Sequence, residues 1–129
     1  VLSKAVEMDE PAVMKPLVAL GAAYLRLPDP ADVGQARDSF EKAVQHAQEM
    51  IQTTPDNFEA WYILGLAQAG LYILGNTNVG RAVASYVNAR HIAPHVGLIK
   101  QARLKFDILS KGQTTSLDPI QRVLTVASE

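Results

Sequence analysis

One pattern of small and large residues occurs twice in the chain, and it restricts the possible fold more than any other feature of the sequence. The first copy reads Leu17-x2-Leu20-Gly21-x2-Tyr24, then Ala36-x3-Phe40-x2-Ala43, then Pro55. The second copy reads Trp61-x2-Leu64-Gly65-x2-Gln68, then Ala82-x3-Tyr86-x2-Ala89, then Pro94. Small residues let two antiparallel helices approach closely, and large residues at fixed offsets fill the space between successive helix pairs. The pattern therefore predicts consecutive helical hairpins.

The rest of the chain also favours helices, because no alternation of apolar and polar residues persists and alanine is frequent. The spacing of apolar residues predicts six helices, at about 17–27, 32–53, 58–74, 79–92 and 96–109, with a short one from Asp118. Asn57 is the predicted N-cap of the third helix, and the sequence Gly75-Asn76-Thr77-Asn78 predicts a C′ glycine and the next N-cap. Asp118 is the predicted N-cap of the sixth helix, with Pro119 at its first position.

The repeated pattern resembles the tetratricopeptide repeat (TPR), whose signature is W-x2-L-G-x2-Y, then A-x3-F, then P. The resemblance implies an all-α, right-handed TPR-like solenoid of helical hairpins. Three departures are visible: Leu17 replaces the tryptophan, Tyr86 replaces the phenylalanine, and Gln68 replaces an aromatic residue. Gly21 and Gly65 are also 44 positions apart, whereas the standard repeat has about 34 residues. The chain is thus expected to be an irregular solenoid with enlarged repeats, and a plain helical bundle stays open as the alternative.

We expect one domain over 1–129, divided into the tail of a preceding repeat (1–11), two repeats (14–55 and 58–94) and capping helices (96–127). Because the chain opens at Val1 and stops at Glu129 within an apolar helical pattern, we expect it to be a piece of a larger protein. No basic segment followed by an apolar one marks a signal peptide, so a cytoplasmic location is expected and an exported one stays open.

Composition narrows the classes of function. Only 19% of the residues are charged, against about 25% in ordinary domains, which suggests a surface that a partner covers. The net charge of -1 argues against nucleic-acid binding. The absence of cysteine excludes disulfides and thiolate metal sites, and no apolar run is long enough for a membrane span.

In TPR proteins the first helix of each repeat lines a concave groove that receives a peptide or a helix. Carried onto this chain, the resemblance places eight residues in that groove, namely Val18, Ala22, Leu25, Arg26, Tyr62, Leu66, Ala69 and Ile73. This face is apolar, so the family's clamp of polar residues for a terminal carboxylate is missing. We expect a non-catalytic protein–protein interaction module that binds a hydrophobic peptide or helix. Two alternatives stay open: a homo-oligomer that uses the same face, and a groove filled internally by the sixth helix through Ile120, Val123, Leu124 and Ala127.

The sequence contains no pattern typical of an active site. His91 and His95 have a spacing that could share a metal ion, but Pro94 lies between them and no third ligand is near. The glycines at 65 and 70 are not followed by Lys-Ser or Lys-Thr, so no phosphate-binding loop is predicted. We expect no enzyme activity, no cofactor and no metal.

Overall fold

The computed structural model describes residues 18–23, 30–111 and 117–125, and this part of the chain contains six helices and no strand. A helical stretch over 18–23 is α1. The remaining helices are α2 (Pro30–Thr53), α3 (Phe58–Ile73), α4 (Val79–Ile92), α5 (Val96–Ser110) and α6 (Asp118–Val123). The all-α prediction is confirmed. Leu17, Tyr24 and the segment 1–11 lie outside the described residues.

Three predicted helix ends, the start and end of α3 and the start of α4, agree with the structure because their caps are local. Asn57 accepts a hydrogen bond from the backbone N–H of Ala60 at 3.2 Å, which caps the start of α3. Asn78 caps α4 in the same way through the N–H of Arg81. At the end of α3, Gly75 has a φ of 81°, and its N–H donates to the carbonyl of Tyr72. These are the N-caps and the C′ glycine that the sequence predicts.

The predicted start of α6 is wrong by one residue. Its N-cap is Leu117, and the side chain of Asp118 is not the cap. The carbonyl of Leu117 accepts the backbone N–H groups of Ile120 and Gln121, and the Leu117 side chain is buried. Helix α6 therefore begins at Asp118, and Pro119 occupies its second position.

Helix α3 is the centre of the described core. It packs against α2, α4 and α5, while α6 packs on α4. Every residue from 63 to 71 is buried. The sequence predicts this double-sided burial, because the helix is apolar on nearly every side.

Two aromatic rings lie directly on glycines of neighbouring helices. A Cβ atom added at Gly21 of α1 would come within 2.8 Å of the Phe40 ring, and one at Gly70 of α3 within 2.5 Å of the same ring. A Cβ atom at Gly65 of α3 would lie 3.0 Å from the ring of Tyr86. In each copy of the repeated pattern, the glycine of the first helix thus lies against the aromatic residue of the second.

The large residues of the two copies pack less alike. Leu64 is 4% exposed, whereas its counterpart Leu20 is 45% exposed. Leu64 belongs to the central helix, which has neighbours on both sides, and α1 is the first of the described helices. Leu20 therefore does not fill space between hairpins as the pattern predicts. The four alanines of the pattern, in contrast, are all completely buried, namely Ala36, Ala43, Ala82 and Ala89.

Gln68 stands where the TPR signature has an aromatic residue, and its side chain is buried. Its Oε1 accepts a hydrogen bond from the hydroxyl of Ser85, which is also buried, on α4. A polar pair that is hydrogen-bonded internally can stay in the core without a large desolvation cost. The departure at position 68 is therefore matched by a polar partner on the facing helix.

Replacing Gly70 by alanine tests the contact with the Phe40 ring. Phe40 is completely buried and cannot move aside freely. Overpacking costs about 1–3 kcal/mol, and alanine regains about 1 kcal/mol of helix propensity. We expect Gly70→Ala to lower the free energy of unfolding by up to about 2 kcal/mol in urea titrations followed by circular dichroism. The control is Gly34→Ala, where a Cβ meets no atom within 4 Å and stability should rise; equal gains for both variants would contradict the packing.

A double-mutant cycle tests the pair of Gln68 and Ser85. Ser85→Ala leaves the Gln68 oxygen buried without its donor, so the free energy of unfolding should fall by about 1–3 kcal/mol. Adding Gln68→Leu removes the orphaned group and should recover most of that loss. Simple additivity of the two single changes in urea unfolding would show that the pair is not coupled.

Candidate functional site

A groove of about 320 Å³ lies between α1, α3 and α5. Its walls are mainly apolar, with a few polar groups. Helix α1 contributes Val18, Ala19 and Ala22; α3 contributes Phe58, Glu59, Tyr62, Ile63 and Leu66; α4 contributes Tyr86; and α5 contributes Leu98, Gln101, Ala102, Lys105, Ile108 and Leu109. Because the lining comes from four helices, the groove depends on how these helices pack on one another.

Four of the eight predicted groove residues line this one groove, namely Val18, Ala22, Tyr62 and Leu66. Val18 and Leu66 are buried and belong to its floor, and Ala22 and Tyr62 are half-buried.

The other four predicted residues do not line the groove in the described part. Ala69 is buried in the core, and Ile73 is half-buried near the end of α3, away from the groove lining. Leu25 and Arg26 lie outside the described residues. A role in binding stays a prediction for all eight.

The wall that α5 provides was not predicted from the sequence, because this helix was expected only to cap the stack. A signal was present: Leu98, Ala102 and Lys105 recur at intervals of three and four residues and so share one helix face. Ile108 and Leu109 continue that face. The same face meets α3 in the structure and closes one side of the groove.

Tyr62 is fixed in the groove by two contacts. Its hydroxyl donates to the backbone carbonyl of Ala93 at 3.3 Å. Its ring lies 6.3 Å from the ring of Tyr86, centroid to centroid, at an angle of 53°. Burial raises the pKa of Tyr62, and the positive charge of Arg90 lowers it by a smaller amount. The aromatic ring is therefore preorganised as part of the wall.

Tyr86 carries a hydroxyl that has no hydrogen-bond partner among the described residues. The side chain is 1% exposed. Burial, together with the nearby Tyr62, raises the pKa of Tyr86 well above its usual value, so the hydroxyl stays protonated. A buried hydroxyl without a partner costs about 1–3 kcal/mol, and such a group in a groove calls for an explanation.

Two charged residues line the groove from opposite walls. Glu59 lies on α3, and Lys105 lies on α5. Lys105 is exposed and forms no ion pair with a described residue. The groove is thus apolar at its floor and charged at its edge.

Helix α6 does not fill the groove. Ile120 and Leu124 are buried, but α6 packs on α4 and none of its described residues lines the groove. The guanidinium of Arg90 donates to the carbonyls of Val123 and Thr125 at 2.8 and 2.7 Å, which holds the end of α6 against α4. The alternative of internal filling by α6 is therefore wrong for the residues described, and Ala127 lies outside them.

The two histidines singled out by the sequence are exposed. His91 lies in the last turn of α4, and His95 occupies the N-cap position of α5. In the described part of the chain, no group of three His, Cys, Asp or Glu residues could hold a metal ion. No helix formed by these residues is both long and apolar enough to cross a lipid bilayer.

Comparison with known proteins found no match to a family model, a curated protein or a solved structure. The resemblance to TPR proteins therefore rests on the residues of the repeated pattern themselves.

The two groove tyrosines predict a loss of stability in alkaline solution. Each pKa is raised above the unfolded value of about 10, so the unfolded chain releases these protons first. The contribution of the two tyrosines to the free energy of unfolding is fully present below about pH 10 and should fall as the pH rises further. Urea midpoints measured between pH 8 and pH 11 should show this decline, with a smaller slope in Tyr86→Phe. An unchanged slope in that variant would show that Tyr86 is not buried in the folded state.

Proposed function

We propose that this chain is a non-catalytic, TPR-like interaction module that binds an apolar peptide or helix of a partner protein. The groove between α1, α3 and α5 is the binding site. The observation that carries the proposal is an apolar groove lined by α1 and α3, the first helices of the two repeats, with apolar side chains left exposed at its edge. In this proposal the helices follow one another in a right-handed solenoid.

The edge of the groove supports an extended partner. Phe58 is 37% exposed and Ile108 is 49% exposed, and both line the groove. A partner segment would cover them, and burial of apolar area is the main source of affinity in such contacts. A volume of about 320 Å³ is enough for a few anchoring side chains. Tyr62, as a rigid aromatic residue within the groove, is the best candidate for a residue that dominates the binding energy.

The glycine–aromatic contacts support the TPR-like interpretation. In both copies the first-helix glycine lies against the second-helix aromatic residue, at Gly21 with Phe40 and at Gly65 with Tyr86. Equivalent contacts at equivalent positions are what a structural repeat requires.

The experiment is selection from a displayed library of amphipathic 16-residue peptides, followed by affinity measurement on matched variants. Ala19 and Ala23 are both exposed on α1, but only Ala19 lines the groove. We expect Ala19→Arg to weaken peptide binding by about tenfold or more, because the side chain enters the space of the ligand. Ala23→Arg should bind as the wild type does. These positions are better than Leu66, whose burial would make a charged substitution disrupt the core.

A second matched pair lies on α5. Ile108 lines the groove and Leu104, one turn earlier and 61% exposed, does not. Ile108→Glu should weaken binding, and Leu104→Glu should not. Equal effects within both pairs would refute the groove assignment. If sedimentation instead shows a dimer of the free wild type that Ala19→Arg converts to a monomer, the homo-oligomer replaces the proposed partner.

A further inference from the structure

Two hydrogen-bond donors of the groove have no acceptor among the described residues. One is the hydroxyl of Tyr86, which exposes less than 1 Å² and makes no hydrogen bond. The other is the ammonium group of Lys105, which is exposed at the edge and makes no ion pair. Both residues line the same groove. Two hydrogen-bond donors without acceptors in one groove indicate a ligand that carries hydrogen-bond acceptors.

The hydroxyl of Tyr86 contributes nothing visible to the fold. The ring packs on Gly65, and a phenylalanine ring would make the same contact. The hydroxyl instead adds a buried polar group whose usual cost is a loss of stability. A group that costs stability and lines a binding groove is a candidate for a role in recognition.

The charge of α5 indicates the sign of the ligand group that lies beside this helix. The helix carries Lys100, Arg103 and Lys105 against a single acidic residue, Asp107, although the whole chain has a net charge of -1. Of these residues Lys105 alone lines the groove, and Glu59 lies on the opposite wall. An acidic group of the ligand is therefore attracted at the α5 edge, beside Lys105, and repelled on the side of Glu59.

We propose that the partner segment carries an acidic residue beside its apolar anchors, with its carboxylate paired to Lys105 and a second oxygen acceptor bonded to the Tyr86 hydroxyl. This inference rests on the proposed function. The acidic side chain lies at the edge of the groove, where it stays partly hydrated. The second acceptor is a neutral carbonyl or hydroxyl oxygen of the segment. Because the Tyr86 hydroxyl is covered in the free protein, the groove widens slightly when the segment binds.

The first test uses the peptides selected above, from a library with equal frequencies of acidic and basic residues. We expect acidic residues to be enriched next to the apolar anchors. Lys105→Glu should weaken binding of these peptides by about fivefold, because an attractive pair becomes repulsive. Lys100→Glu, on the same helix but outside the groove lining, is the matched control and should change affinity little. A peptide with its acidic residue changed to lysine should bind Lys105→Glu better than it binds the wild type.

The second test is Tyr86→Phe, read by affinity and by stability together. We expect binding to weaken by about threefold, as for the loss of one neutral hydrogen bond. The unfolding temperature of the free protein should stay the same or rise. A hydroxyl with a structural role would give the opposite result, namely a lower unfolding temperature with affinity unchanged.

The outcomes separate this inference from the proposed function. One result would overturn the inference and leave the proposed function standing. In that result, Ala19→Arg weakens binding, but the selected peptides show no enrichment of acidic residues and bind Lys105→Glu and Lys100→Glu with equal affinity. If no selected peptide loses affinity for Ala19→Arg, the proposed function itself is overturned. Decanoate serves as a further probe, since it also joins an apolar body to a carboxylate. Binding of decanoate in the absence of peptide binding would overturn both and assign the groove to a small amphiphile.

Discussion

The packing of aromatic rings on bare glycine backbone determines how the helices of this chain are arranged. Helix α3 carries two such glycines, Gly65 and Gly70, which receive Tyr86 of α4 and Phe40 of α2. A side chain at either position would push the ring outward and separate the helices. Because both rings are almost completely buried, neither has room to adapt. The position of α3 between α2 and α4 depends on these contacts.

The groove follows from the same packing. The ring that holds α4 against α3 belongs to Tyr86, and Tyr86 also lines the groove. Tyr62, in contact with that ring, is fixed a second time by its hydrogen bond to Ala93 at the end of α4. The core and the groove are therefore not separate regions here. A substitution that loosens the core would also change the shape of the groove, which is why the exposed positions Ala19 and Ile108 are better probes than Leu66.

Local signals in the sequence were enough to predict most of the helices, and long-range packing explains the differences. Asn57, Asn78 and Gly75 act within three or four residues of their own positions, so their roles could be predicted from the sequence. The N-cap of α6 is Leu117, whose side chain is buried in the core among residues distant in the sequence, and local signals do not show such burial. Burial of Leu20 was predicted wrongly for a related reason, since periodicity shows that a residue lies on a stripe and not whether a neighbour covers it.

The candidate site, like the fold, was predicted from the sequence only in part. Val18, Ala22, Tyr62 and Leu66 share a groove because α1 and α3 both contribute to its lining. The wall from α5 was missed because that helix lacks most of the repeated pattern, although its face is periodic.

The low charged fraction of the chain has a source within the fold. The nine residues from 63 to 71 are all buried among neighbouring helices, and they include no charged side chain. A helix enclosed in this way lowers the charged fraction without requiring any partner. Composition therefore does not distinguish an enclosed helix from a binding surface, since both remove polar residues from the sequence. Two features of the groove do distinguish them. Apolar side chains stay exposed at Phe58 and Ile108, and the buried hydroxyl of Tyr86 has no acceptor among the described residues. The hydroxyl, unlike the apolar excess, is not accounted for by the packing of the described residues.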